Sequence, residues 1–312
     1  MKPEISIVMP AIRVHNWDRV YQSIENATKR TFELIIVSPY PLTPFLQGKR
    51  NVKYVKDFGS PVRTSCIGAM LCEGDFVYPT HSDDAVFIED SIDDNIAFLL
   101  QQGSDIKNVI VCKYSETEGC KQPEKFHPDD YYKLTTAPVN KEHIPDHWLI
   151  FNSAIWHRKY FDTFGGWDCT FEVCPMAHTD LAVRAQKDGA IVRLSPYPLT
   201  ICNHMPETSG DHAPVHYAQL LADEPLFREK YKGGIDHFPI RIDLMNWKKA
   251  ETVWKRRFSL LKIEFKKEWF LEWFKATMIA KPSRLCKKFI KATYRKIFGI
   301  EMGKPVPVKD VK

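Results

Sequence analysis

The chain has 312 residues, 44% hydrophobic and 27% charged, the balance of a globular protein with a sizeable core rather than a disordered or fibrous one. Its net charge of +5 is unevenly spread: residues 246–312 hold 19 Lys and Arg against 6 Asp and Glu, so a basic tail follows an acidic body. No run reaches the roughly 18 apolar residues of a spanning helix, and Lys2-Pro3-Glu4 leads into a strand without the apolar core of a signal peptide, which points to the cytoplasm.

The first half alternates strand and helix signals. Residues 5–9 read as a strand and 18–29 as a helix with Val20, Ile24 and Ala27 on one face. The continuous apolar run 32–37 is typical of a buried parallel strand. A short strand at 52–55, a helix at 61–71, a strand at 75–79, a helix at 90–102 and a strand at 108–112 follow. This alternation predicts an α/β fold: a mostly parallel sheet with helices on both faces. Residues 113–147, polar, aromatic and rich in His and Pro, read as a loop or lid. Residues 148–156 resume an apolar run, 180–187 read as a helix stopped by Gly189, and 190–194 as a strand. From about Trp247, aromatic residues recur at helical spacing between Lys and Arg.

Four constellations carry chemistry. Ser82-Asp83-Asp84 closes a strand, where paired carboxylates can hold Mg²⁺ or Mn²⁺ on a diphosphate; the alternative is a helix cap. His178-Thr179-Asp180 is placed at a helix start, whose dipole favours an ionised carboxylate, as general base or as cap. His204, His212 and His216 lie beyond the last strand, where an imidazole could complete a metal site. Gly165-Gly166-Trp167-Asp168 reads as a tight turn whose Trp167 either stacks on a sugar or belongs to the core. The eight cysteines include no Cys-x-x-Cys pair, which fits reduced thiols better than a zinc site.

In this order the motifs resemble glycosyltransferase family 2, the GT-A inverting enzymes, over residues 4–205. Ile5-Ser6-Ile7-Val8-Met9-Pro10 is similar to the family's opening strand, and Gly74-Asp75-Phe76-Val77 with Ser82-Asp83-Asp84 to its metal motif. Phe164-Gly165-Gly166-Trp167-Asp168 is similar to the turn before its acceptor site, and His178-Thr179-Asp180-Leu181 with Arg184 to its base-carrying helix. The resemblance implies transfer of a sugar, with inversion, from a nucleotide donor to an acceptor hydroxyl of a glycan or lipid-linked glycan. It implies nucleotide-sugar contacts at Pro10, Ala11, Arg13, Ser38, Arg63 and Asp83, a Mn²⁺ or Mg²⁺ ion on Asp84 and His204, and Asp180 as base.

The chain departs from the family in three places. Ser38-Pro39 stands where the second strand usually ends in Asp-Asp, His81 where another Asp is common, and Thr179 for the usual Glu. These changes leave a second reading, a GT-A-shaped binding protein without catalysis. A nucleotidyltransferase would show a Gly-rich basic loop near the N-terminus, and Met9-Pro10-Ala11-Ile12-Arg13 is not one. Residues 1–245 are read as the catalytic domain and 246–312 as a basic amphipathic helical tail. Such a tail either packs on the domain or holds it peripherally on an anionic inner membrane face; no nucleic-acid partner is expected.

Overall fold

Strand β1 (Ile5–Pro10) is buried along all but its last residue, and β2 (Phe32–Ser38) along all but its first. Both are wholly apolar runs except for Ser6, Glu33 and Ser38, as parallel strands covered on two faces require. They pair in parallel from Ile5↔Phe32 to Pro10↔Val37. Strand β3 (Val52–Lys56) adds in parallel to β2, and β4 (Phe76–Tyr78) to β1. In a computed structural model these elements lie within the described residues, which are 2–57, 59–123, 148–203, 215–216, 218–232 and 239–249.

Helix α1 (Trp17–Ala27) buries Trp17, Val20, Tyr21, Ile24 and Ala27, the stripe expected of an amphipathic helix on a sheet. The one-turn α2 (Pro44–Gln47) is capped by Thr43, and α3 (Pro61–Ala69) by Ser60, whose hydroxyl accepts the Arg63 N–H. Beyond β4 the chain forms β5 (Ala85–Phe87), α4 (Ser91–Gln101), β6 (Asn108–Thr117), β7 (Ala154–His157), α5 (Arg158–Phe164), α6 (Cys174–Lys187), β8 (Ile191–Asn203) and α7 (Glu224–Tyr231).

The sheet has eight strands in the order β3-β2-β1-β4-β7-β6-β8-β5. It is mixed: β7 runs antiparallel to β4 and β6, and β5 antiparallel to β8, while β6 and β8 pair in parallel. The expected α/β class is therefore present, with antiparallel pairings confined to the half beyond β4. Alternate strand residues feed two cores. Ile7 and Ile36 pack with α1 and α4 on one face, and Val8 and Ile35 with α3, α5 and α6 on the other.

Three expected boundaries moved. The helix expected at 180–187 starts at Cys174, with Pro175 in its first turn. A proline there loses no bond, because the first N–H groups of a helix have no partner within it. The strand expected to end at 112 runs to Thr117, so the loop expected from 113 begins later. The strand expected at 190–194 continues to Asn203. The expected domain break after 245 falls inside a 3₁₀ turn, Leu244–Lys249, whose Trp247 packs on the core and whose Asn246 donates to the Trp167 carbonyl at 3.0 Å. The lid segment 124–147, His204, His212 and tail residues 250–312 lie outside the described residues. Among the described residues no helix is long and apolar enough to cross a membrane.

Candidate active site

A cleft of about 430 Å³ opens at the carboxyl ends of β1, β2 and β4, where open α/β sheets bind ligands. One wall is the loop after β1 (Pro10, Ala11, Ile12 and Arg13), and its floor holds Ser82, Asp83 and Asp84. The opposite wall comes from the extended end of β6 with Tyr114 and Glu116, from Asn152 and Ser153, and from the start of α6 with Cys174, Pro175 and His178. Val215, His216 and Gln219 close one end.

Asp83 clamps the loop after β1. Its Oδ2 accepts the N–H groups of Ile12 at 2.6 Å and Arg13 at 2.5 Å, and the Trp17 indole N–H at 3.2 Å. Its Oδ1 accepts Arg13 Nη1 at 2.6 Å. Both oxygens are thus engaged by the chain itself, so the carboxylate expected on the donor ribose or the metal shapes the loop that lines the cleft. Asp84 accepts a hydrogen bond from Ser82 Oγ on Oδ1 and lies 3.6 Å from Arg13 Nη1 through Oδ2. Its carbonyl accepts Asn203 N–H at 3.0 Å and Cys120 Sγ–H at 3.1 Å, which ties the motif to the end of β8 and the turn after β6.

Two expected nucleotide contacts do not line the cleft. Ser38 is fully buried and its hydroxyl accepts the Tyr40 N–H at 3.0 Å. Arg63 turns away: its Nε and Nη2 bind the two oxygens of Asp57 at 3.1 and 3.0 Å, and its guanidinium sits 5.0 Å over the Trp247 ring. Pro10, Ala11, Arg13, Asp83 and Asp84 do meet in the cleft. His216 also lines it; His204 and His212 lie outside the described residues.

Asp180 was expected at a helix start and lies instead in the second turn of α6 with 0% exposure. Its Oδ2 accepts Arg184 Nε at 2.6 Å, and its Oδ1 accepts Lys230 Nζ at 2.6 Å and the Tyr231 hydroxyl at 3.0 Å. Both oxygens of Asp180 are thus engaged by the chain itself, and the residue expected as base lies in the core, apart from the residues that line the cleft. Burial, with Asp180 beside it, holds the Tyr231 phenol well above its usual range.

Two residues earlier, near half a turn around the helix, His178 faces the cleft. Its side chain is 8% exposed, and its Nε2 has no hydrogen-bond partner among the described residues. Burial pushes the imidazole down to about 3, so it is neutral at physiological pH. His81 also lines the cleft, but its ring is held by neighbours. Its ring stacks on Phe87 at 4.3 Å, Nε2 lies 3.2 Å from the Ala85 carbonyl, and burial pushes it down to about 4.

Trp167 is 3% exposed, with its ring 4.9 Å from that of His178, so it backs the histidine and does not present a face to a sugar. Gly165 and Gly166 both take positive φ, 91° and 61°, as the expected tight turn needs. Asp168 Oδ1 accepts Thr170 N–H at 3.0 Å and its Oδ2 meets Lys230 at 2.6 Å, which locks the turn to α7.

Glu116, Tyr114 and Asn152 were not foreseen as site residues. Lys113, Ser115 and Thr117 alternate with Tyr114 and Glu116, and that period of two was the available signal of a strand continuing past 112.

No protein-family model matches the chain. No curated protein matches it either. Among solved structures it is similar in fold to S. aureus TarS, at 15% identity and a TM-score of 0.46, over 97% of this chain and 51% of that one. GalNAc-T7, solved with UDP, GalNAc and Mn²⁺, aligns at 13% identity and a TM-score of 0.49, over 81% of this chain and 55% of its own. The mannosyltransferase PcManGT from Pyrobaculum calidifontis, solved with GDP-Man and Mn²⁺, aligns at 12% identity and a TM-score of 0.44, over 96% of this chain and 88% of its own. The chain spans about half the length of the first two.

Proposed function

We propose that this protein is a GT-A-type glycosyltransferase that moves a sugar from a nucleoside-diphosphate donor to an acceptor hydroxyl with inversion. The observation that carries this reading is the cleft itself. A backbone loop, fixed by Asp83 at the ends of parallel strands, faces a wall of hydrogen-bonding side chains across a space of about 430 Å³. The nucleotide would lie along Pro10, Ala11 and Arg13, and the acceptor against Tyr114, Asn152 and His178.

The charges of the cleft fit a divalent cation. Asp83, Asp84 and Glu116 line it with Arg13 as the one Lys or Arg among the described lining residues, a formal balance of −2 that would repel a diphosphate. Among the described residues no three His, Cys, Asp or Glu side chains gather into a cage. Asp84 would hold Mn²⁺ or Mg²⁺ with His204 and the donor's phosphates completing the shell. When bound, the ion would offset the charge on the departing diphosphate.

The chain's own residues supply the rest. His178, neutral and with no partner at Nε2 among the described residues, would receive the acceptor's proton as that oxygen attacks the anomeric carbon, the negative charge growing on the diphosphate raising a proton affinity that burial otherwise keeps low. The anionic diphosphate formed in the same step would stabilise the imidazolium. Asn152 Oδ1, which has no partner among the described residues either, would accept a second hydroxyl and orient the acceptor.

A non-catalytic binding protein of the same shape is the second reading, favoured by the enclosure of Asp180. One experiment separates the two. Thermal shift with UDP and GDP, with Mn²⁺ or with chelator, reports donor binding. Release of free nucleotide from a panel of UDP- and GDP-sugars reports turnover. Stabilisation without any sugar release from the panel would favour the binding module.

A further inference from the structure

Asp83 and Asp84 share one guanidinium. Arg13 Nη1 is 2.6 Å from Asp83 Oδ1 and 3.6 Å from Asp84 Oδ2, and the three side chains are 12%, 2% and 5% exposed. The two halves of this contact differ. The first is a short charge-assisted hydrogen bond; the second is too long for one and only balances charge. Asp83 also keeps three other donors, Ile12 N, Arg13 N and Trp17 Nε1, so the loop stays anchored if the guanidinium leaves. With Ser82 on Oδ1 of Asp84, Arg13 stands on the Oδ2 side. A divalent cation placed on that oxygen would meet a fixed positive charge.

Given the glycosyltransferase reading, on which this step rests, we infer that Arg13 is an exchangeable counter-ion: it neutralises Asp84 and passes to the donor's diphosphate when a divalent cation takes Asp84. The planar fork of guanidinium suits a phosphate, and the backbone of Arg13 stays held by Asp83 throughout. Metal and nucleotide then bind with positive coupling. Each relieves a repulsion that the other would face alone, and linkage makes the effect reciprocal.

The test uses the full chain, wild type and the variants Arg13→Gln, Arg13→Lys and Asp84→Asn. Binding of Mn²⁺ is followed by the electron paramagnetic resonance of the free ion, alone and with UDP or GDP. In the wild type, nucleotide is expected to tighten Mn²⁺ by about tenfold or more. Arg13→Gln is expected to bind Mn²⁺ alone several-fold more tightly and to lose most of that coupling, with Arg13→Lys between the two. Asp84→Asn should abolish the Mn²⁺ signal and so tie it to this carboxylate. The inference is overturned if Mn²⁺ binds Arg13→Gln, or Arg13→Lys should the first variant not fold, no more tightly than wild type with the coupling intact. If neither nucleotide binds the wild type under any condition, the glycosyltransferase reading falls and this inference with it.

Discussion

Lys230 Nζ lies 2.6 Å from Asp180 Oδ1, and this contact joins α7 to the interior of α6 where solvent does not reach. Among the described residues Asp180 is also the only ion-pair partner of Arg184, itself fully buried. Removing the carboxylate would leave the buried guanidinium without its counter-charge and the Lys230 ammonium with Asp168 in place of two carboxylates. Asp180→Asn is expected to cost about 3–5 kcal/mol of stability, measured by urea unfolding. Normal stability together with lost turnover would restore Asp180 as a base.

His178→Gln keeps the size and polarity of the side chain but cannot take a proton. Sugar transfer should fall by about a hundredfold or more, while thermal shifts with nucleotide and Mn²⁺ stay near wild type. Unchanged turnover would remove His178 from the chemistry.

Acid should unfold the protein early. His178 and His81 are held neutral by burial, at about 3 and about 4, below the ordinary histidine value near 6.5. As pH falls through 6.5 the unfolded chain takes up protons that the folded chain refuses. Stability present above that value is therefore lost progressively between about pH 6.5 and 4, by about 1.4 kcal/mol per pH unit for each histidine. The melting temperature should drop through this window, and His81→Gln should flatten the drop. Carboxylates such as Asp168, held low chiefly by Lys230 against its own desolvation, act below it.

The basic tail, residues 250–312, yields a prediction from sequence alone. The full chain should sediment with anionic vesicles at low salt and be released as salt rises. Truncation after Lys249 retains Trp247 and Asn246, which pack on the body, and should leave a protein that ignores vesicles. If the full chain also ignores them at low salt, the tail has no role at such a surface.

Much of the parallel half was legible because its signals are local. β1 and β2 are apolar runs buried on both faces, and α1 repeats Val20, Ile24 and Ala27 on one side. The Asp83-Asp84 pair, expected to close a strand, lies instead in the turn between β4 and β5, because β4 stops at Tyr78. What escaped depends on partners far along the chain. Arg63 was assigned to the nucleotide because nothing nearby shows Trp247 beneath it, 184 residues away. Asp180 was placed at a helix start because Pro175 was not read as the opening of α6, and two residues of register, from His178 to Asp180, separate a cleft position from a core one. Glu116 was lost in a presumed loop because a strand with one wet face looks polar there.

Gly165 has no room for a side chain: a methyl group there would come within 1.8 Å of the Ile242 carbonyl oxygen. The consequence is felt on the far side of the domain. Ile242 donates its N–H to Phe164 and belongs to the strap, residues 239–249, that delivers Trp247 to Arg63. Arg63 in turn braces Asp57, whose Oδ1 also fixes the Gly59 N–H at the rim of the cleft. A side chain at Gly165 would displace Ile242, and the contacts through Trp247, Arg63 and Asp57 would carry that displacement to Gly59 at the cleft.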